Sequence, residues 1–372
     1  MRVLHISNDY YNSGVYRTLH HGFLKDGVES AFFVSMHYSD EKPEEDHVVQ
    51  ARCFNKWDRY LYMNKQKKVY RDFRKTVQEY KPELNHSFFL YSGGIHCLWA
   101  KQEFGIPYVV TVQNTDVNTV YRLMPHLRGL GRRILREAEV ILFVSAAYRD
   151  FVLEHVMKAE EKEVISQKCR LVPFAVDPFW TENIDTTPHP KHDGPVRLLT
   201  VGVVNKSKNQ LGVTGAVRIL RKRGILAELT VIGATDDPKV DRDICAEPFV
   251  NRIPHIQKEQ LVEEYRRADI FVLPSFAESF GLVYAEALTQ GVPVVYSAGQ
   301  GFDQQFPEGF VGYRVNAYSP EDIADGIQRV LAEYDKIQKN CEEASEPFAQ
   351  SAICAKCKEF YREVLGHRQR EN

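Results

Sequence analysis

Short apolar runs bounded by polar or glycine-bearing turns recur along the chain, and most are followed by apolar positions at helical spacing. Residues 2–6 read as a strand, 8–14 as a polar loop, 15–25 as a helix closed by Gly27, and 31–35 as the next strand. Such a strand–loop–helix–strand opening is how a Rossmann-like domain begins. Residues 84–90, 108–112 and 140–144 continue as strands of one sheet, alternating with helical segments, which favours a parallel arrangement. The pattern restarts with a strand at 196–201, a helix carrying Val213, Ala216, Val217 and Leu220 on one side with Gly224 at its end, and strands at 229–232 and 249–253. Between the two series, 181–195 is rich in Thr, Pro, His and Asp without periodicity and reads as a linker. The expected organisation is an N-terminal domain over 1–180, the linker 181–195, a C-terminal domain over 196–345, and a helical tail over 346–372 whose helix covers 351–365.

The most informative stretch is 270–291, IFVLPSFAESFGLVYAEALTQG. An apolar strand breaks at Pro274-Ser275 and a turn Glu278-Ser279-Phe280-Gly281 follows. A helix with Leu282, Ala285 and Leu288 on one face then runs to Gly291, before the apolar Pro293-Val294-Val295. This is a βαβ unit with a right-handed crossover, and its helix N-terminus offers unpaired N–H groups suited to phosphate. Glu278 and Glu286 bracket that seat, and eight helical residues would span about 12 Å. Carboxylates at that spacing suit vicinal hydroxyls on either side of a diphosphate, because a carboxylate accepts hydrogen bonds and repels a second anion. Taken as an isolated pair, the alternative is a helix-terminal charge and a solvated glutamate.

The length of 372 residues fits two domains, each able to bury its own core. A net charge of −2 gives little support to bulk nucleic-acid binding. No apolar run reaches the roughly 18 residues of a membrane span, and the first residues, MRVLHISND, lack the signal-peptide pattern. Seven scattered cysteines fit a reducing compartment, and Cys354-x-x-Cys357 reads as two thiols one helical turn apart, without a second pair to make a metal site. The dinucleotide fingerprint G-x-G-x-x-G is absent after the first strand, where Gly14 stands alone. Gly129-x-Gly131 lies instead in a basic helical stretch over 123–137, which argues against a nicotinamide enzyme.

The words PSFAESFGLVYAEALTQGVPVV resemble the glutamate–seven–glutamate signature of the retaining glycosyltransferases of family 4, group 1, with two Rossmann-like domains facing each other across a cleft, the GT-B architecture. The resemblance implies that Glu278 holds hydroxyls of the donor sugar and Glu286 the ribose of the nucleotide. The backbone of Ser279, Phe280, Gly281 and Leu282 would then meet the diphosphate. It singles out Lys208, six residues beyond Gly202, as the diphosphate lysine, and Gly14 as a phosphate contact from the first domain. Residues 138–145 and 170–177 also match family words, and the terminal helix is implied to pack back on the N-terminal domain. Several positions depart from the pattern. Val203 stands where the family has arginine, with Lys206 the nearest substitute, and the Asn-Gly expected after Pro173 is missing. The usual histidine after the strand 108–112 is absent, leaving Asn114 and Asp116 as polar substitutes. Asp116 then has two readings, an acceptor-facing catalytic group or a helix cap. His255 lies in the loop implied to seat the base, and Asp303 in a turn implied to approach the donor sugar.

The implied chemistry is transfer of a hexose-type sugar from a UDP- or GDP-sugar to a saccharide or lipid-linked saccharide, with retention at the anomeric carbon. Helix N–H groups and Lys208 would stabilise the leaving phosphate electrostatically, so no metal or other cofactor is expected. Two other classes stay open: a non-catalytic nucleotide-sugar-binding protein or partner subunit, and a nucleotide-sugar epimerase. Residues 55–80 are helical and basic, with Lys56, Arg59, Lys65, Lys67, Lys68, Arg71, Arg74 and Lys75 interleaved with Trp57, Tyr60, Tyr62, Tyr70 and Phe73. That segment is either a surface for an anionic membrane or a solvated helix whose aromatics face the core. The expected location is cytoplasmic, peripheral at the inner face of the membrane on the first of those readings.

Overall fold

A computed structural model describes residues 1–185 and 194–371. The chain forms two compact units, Met1–Val144 with Tyr148–Asp177 and Gln350–Asn372, and Ser145–Ala147 with Pro178–Ala349. Among the described residues the first unit carries one parallel sheet. Its strands are β1 (Arg2–Ile6), β2 (Glu29–His37), β3 (Val48–Phe54), β4 (Leu84–Ser87), β5 (Tyr108–Val112), β6 (Val140–Phe143) and β7 (Cys169–Leu171), in the order β3-β2-β1-β4-β5-β6-β7. Strand β1 lies between β2 and β4 in the registers Arg2↔Glu29 and Val3↔Leu84.

Both faces of this sheet are covered. Leu4 and Ile6 of β1 join Ala31 and Phe33 of β2 in one buried cluster, while Val3 joins Phe32 and Val34 in the other. Successive side chains of a strand point to opposite faces, so burial on both sides produces the near-continuous apolar runs of the sequence. Strand β3 was not expected. Its outer position leaves Val49 and Arg52 exposed and buries Ala51 and Cys53, so its apolar signal is diluted. The expected strand over 84–90 ends earlier, at Ser87, whose hydroxyl donates to the Phe89 carbonyl and turns the chain.

The helix Gln350–Glu371 belongs to the first unit, where Ile353, Cys354, Cys357, Tyr361 and Val364 enter the same cluster as Val3 and Phe32. It lies so close to the helix Gly14–Lys25 that a Cβ added at Gly22 would stand 2.5 Å from the Cys354 sulfur. His86 Nδ1 and the Tyr361 hydroxyl are 2.6 Å apart, which ties the helix to β4. The basic segment is broken at Leu61 (φ −119°, ψ 73°) into a short 3-10 turn, Lys56–Tyr60, and the helix Tyr62–Tyr80. Its aromatics divide: Phe73 is buried in the core with Val69 and Val77, whereas Trp57 and Tyr60 are each 67% exposed.

The second unit repeats the topology. Strands β8 (Val196–Val201), β9 (Ala227–Ile232), β10 (Val250–Ile253), β11 (Ile270–Leu273), β12 (Val294–Ser297) and β13 (Gly312–Val315) are ordered β10-β9-β8-β11-β12-β13, all parallel. In each sheet the strand order reverses beside its first strand, between β1 and β4 and between β8 and β11. In open α/β sheets such a reversal opens a crevice at the carboxyl ends of the strands, where ligands bind. Of the expected linker, Thr181 and Glu182 end a short helix, Pro178–Glu182, whose Trp180 is buried in the second unit. Residues 186–193 lie outside the described residues. No helix among the described residues is long and apolar enough to cross a membrane.

Candidate active site at the strand reversal of the second unit

Two loops leave the sheet on either side of the β8/β11 reversal. The first follows β8. Gly202 (φ +153°) and Gly233 (φ +150°) bring the ends of β8 and β9 so close that a Cβ on Gly233 would stand 2.0 Å from the Gly202 carbonyl oxygen. Beyond Gly202 the chain forms a single turn, Lys206–Lys208, capped by the Asn205 side chain, which accepts from the Lys208 amide at 3.1 Å. The second loop follows β11, and the Phe276 amide donates to the Ser207 carbonyl at 2.8 Å, which ties the two loops together.

That tie delivers Lys208 to Glu278. Lys208 Nζ lies 2.6 Å from Glu278 Oε2, and Oε1 of the same carboxylate accepts the Ser279 amide at 3.1 Å. The lysine side chain is 26% exposed and the glutamate 11%, so the pair is partly shielded but reachable from solvent. Gly281 (φ +83°) then turns the chain into the helix Leu282–Thr289, whose N-cap has no side-chain hydrogen bond. A Cβ at Gly281 would fall 2.4 Å from the Tyr284 ring, so the left-handed turn and the close packing both require glycine here. Phe280 is fully buried against Phe348 (5.3 Å) and Phe302 (6.1 Å), which leaves its backbone to the turn. Ser279 and Leu282 are half-buried. Glu286, on the next turn of the helix, is half-buried, and its Oε2 accepts the Tyr265 hydroxyl at 3.2 Å.

The residues expected from the sequence thus fall into two groups. Lys208, Glu278, Ser279, Phe280, Gly281, Leu282 and Glu286 stand together at the reversal of the second sheet. Gly14 and Asp116 belong to the first unit. Gly14 opens the helix that follows β1, and a Cβ there would meet nothing within 4 Å.

Asp116 requires a correction. It is 3% exposed, and its carboxylate accepts the backbone amides of Leu90 (3.0 Å) and Gln113 (3.1 Å) on Oδ2 and of Tyr91 (3.2 Å) on Oδ1. Burial pushes its pKa up to about 6 against the opposing pull of those amides. A carboxylate so occupied binds together the chain segments leaving β4 and β5, so it is a structural group rather than an acceptor-facing one. Asp303 is likewise turned inward: it is 4% exposed and its Oδ2 accepts the Gly299 amide at 2.7 Å. Val203 is 43% exposed at the position where arginine was expected, and Lys206 is exposed. Among the described residues, no group of three or more His, Cys, Asp and Glu is placed to hold a metal ion.

The structure also brings in residues that the sequence did not single out. The Gln300 side-chain oxygen accepts the Glu278 amide at 3.1 Å, and the Gly301 amide donates to the Glu278 carbonyl at 3.1 Å. A Cβ on Gly301 would stand 2.5 Å from the backbone of Ser279 and Phe280. The turn after β12 therefore clamps the glutamate loop by backbone contact, and no short motif carries that signal. Tyr265 could be placed only as a buried helical position, three residues after Val262.

Residues 182–347 match the family described as glycosyl transferases group 1, and residues 16–167 match the glycosyl transferase 4-like domain. The chain is 30% identical over 182 residues to a D-inositol 3-phosphate glycosyltransferase of Paenarthrobacter aurescens, a match covering 45% of this chain and 44% of that protein. It therefore spans less than half the length of that relative. Among solved structures, a sucrose-phosphate synthase from Thermosynechococcus elongatus superposes with a TM-score of 0.75 at 20% identity, covering 99% of this chain and 100% of that one. An Anabaena protein in complex with UDP and glucose superposes with a TM-score of 0.70 at 14% identity, covering 98% and 100%. At these identities the superpositions establish the fold.

Proposed function

We propose that this chain, which belongs to the group 1, family 4 glycosyltransferases with two Rossmann-like domains of the GT-B type, transfers a hexose-type sugar with retention from a UDP- or GDP-sugar to a saccharide or lipid-linked saccharide. The observation that carries this reading is the Lys208–Glu278 pair, 2.6 Å apart, beside the open N-terminus of the helix Leu282–Thr289 at the strand reversal. A diphosphate seated there meets one cation and the positive end of the helix, and its sugar meets the Glu278 carboxylate. Glu286, one turn further, is left to accept from ribose hydroxyls. In the reaction the bond from the anomeric carbon to the phosphate oxygen breaks, and the acceptor oxygen bonds to that carbon from the same face. The acceptor proton passes to the leaving phosphate. Negative charge builds on that phosphate, where Lys208 and the helix amides stabilise it without reorganisation; removing one such donor costs roughly 100- to 1000-fold in rate. On this reading the reaction proceeds in the presence of EDTA.

The relative named for D-inositol 3-phosphate and the neighbour solved with UDP and glucose make UDP-glucose with inositol phosphates a first pair to assay. The donor site is tested by thermal stabilisation with UDP, GDP and their sugars, in the wild type and in Glu286→Ala. Ligand at about a hundred times its dissociation constant contributes roughly 2.7 kcal/mol, a readable shift. A response to one base that is lost in the variant supports the site; no response to any nucleotide refutes it. The exposed Val203 favours a second reading, a nucleotide-sugar-binding protein or partner subunit, because one cation expected beside the diphosphate is missing. Donor binding without turnover on any acceptor selects that reading.

The outward face of the basic segment supports a peripheral membrane contact. Trp57, Tyr60, Leu61 and Met63 are exposed beside Lys56 and Lys67, a combination suited to anionic headgroups. Charge reversal at Lys65, Lys67 and Lys68 is expected to abolish sedimentation with anionic vesicles, and unchanged binding overturns the contact.

A further inference from the structure

Tyr265 lies on the helix Lys258–Arg267, outside the glutamate motif, and is fully buried. Its ring stands edge-on to Trp180 (5.5 Å between centroids, 87°) and 5.7 Å from Phe271, so packing on two sides fixes its position. The hydroxyl reaches the motif helix at two points, 3.2 Å from Glu286 Oε2 and 3.2 Å from the Val283 carbonyl oxygen. Val283 and Glu286 are three positions apart and neighbours on the helix surface, so one hydroxyl straddles the turn that presents the carboxylate. A glutamate side chain has several rotors to immobilise, and ordering it on ligand binding costs up to about 2 kcal/mol. A tyrosine locked by its ring and hydrogen-bonded to the carboxylate sets that order before ligand arrives. Burial, and then the neighbouring Glu286 charge, hold the phenol pKa well above its ordinary value, so the hydroxyl remains a donor throughout the neutral range.

We propose that Tyr265 is a positioning residue that contributes to the donor site's selectivity for ribose, by holding the Glu286 carboxylate in the orientation that accepts the two vicinal ribose hydroxyls. This rests on the reading of Glu286 as the ribose ligand. A carboxylate that has lost this hydrogen bond still attracts a hydroxyl, but it is held less closely to the paired geometry that distinguishes a vicinal diol from its deoxy counterpart.

The test measures dissociation constants by calorimetry for UDP and 2′,3′-dideoxy-UDP, and for the corresponding guanosine pair, in the wild type, Tyr265→Phe and Glu286→Gln. Phenylalanine keeps the ring and its packing and removes only the hydroxyl. The wild-type preference for the ribonucleotide is expected to fall about tenfold in Tyr265→Phe. Affinity for the dideoxynucleotide should stay within about twofold, and that unchanged affinity serves as the check on folding. Equal weakening of both nucleotides assigns Tyr265 a packing role and overturns the proposal. An unchanged preference in Tyr265→Phe together with a collapsed one in Glu286→Gln overturns it while leaving the ribose reading of Glu286 intact. An unchanged preference in Glu286→Gln, or no binding of either nucleotide pair to the wild type, removes that reading and the proposal with it.

Discussion

Replacing Asp116 by asparagine sets two opposing electrostatic effects against each other. The carboxylate accepts three backbone amides, which favour its charge, and it is almost fully buried, which disfavours it. Burial is the larger effect and raises the pKa from 3.8 to about 6. The sign then runs opposite to the usual aspartate. Between about pH 4 and 6 the folded chain holds a proton on Asp116 that the unfolded chain has released, so stability falls as pH rises through that window. The difference between the two pKa values corresponds to about 3 kcal/mol. Asp116→Asn has no titration, and its amide nitrogen opposes the N–H of one of the three amides. The variant is therefore expected to be less stable than the wild type near pH 4, with that deficit shrinking by about 2 kcal/mol on going to pH 6.5, the part of the full difference that falls in this window. Urea unfolding at intervals between these pH values, followed by the fluorescence of Trp57 and Trp99 in the first unit, reads the difference directly. A deficit that is flat with pH refutes the raised pKa. A deficit that grows with pH shows that the three amides outweigh burial and that the carboxylate is charged in the folded state throughout.

Two further substitutions test the packing that positions these groups. Gly301→Ala pushes a Cβ to 2.5 Å from the backbone of Ser279 and Phe280 and displaces the Glu278 loop. With positioning errors of about 1 Å costing around 100-fold, kcat/KM for donor is expected to fall by that order while circular dichroism stays native, and full activity refutes the clamp. Gly22→Ala places a Cβ 2.5 Å from the Cys354 sulfur and 2.9 Å from Gln350 Cγ, between the first and last helices of the first unit. A loss of about 1–3 kcal/mol in urea unfolding is expected, and it should be recovered in large part by adding Cys354→Ala. Additive losses in the double variant would show that the helices meet elsewhere.

The local conformation of the stretch 270–291 was legible because it is written in contiguous residues. The strand 270–273, the Pro-Ser break, Gly281 and the helical period from Leu282 each state a local backbone preference, and those preferences agree with one another. The two-domain organisation was legible for the same reason, since strands buried on both faces need unbroken apolar runs. Strand β3 escaped notice because an outer strand buries only part of its side chains, and the segment after Asn55 read as one helix because nothing in its period marks the break at Leu61. The role of Asp116 depended on three amides from two separate segments, Leu90, Tyr91 and Gln113, that converge only when β4 and β5 lie side by side. The same holds for Gln300 and Gly301 against Glu278, and for Tyr265 against Glu286. The sequence by itself determined the elements and the local turn from Glu278 to Gly281. Tertiary structure alone decided what holds those residues in place and which buried carboxylate is structural, because hydrogen bonds and desolvation depend on distance in space, which chain order does not encode.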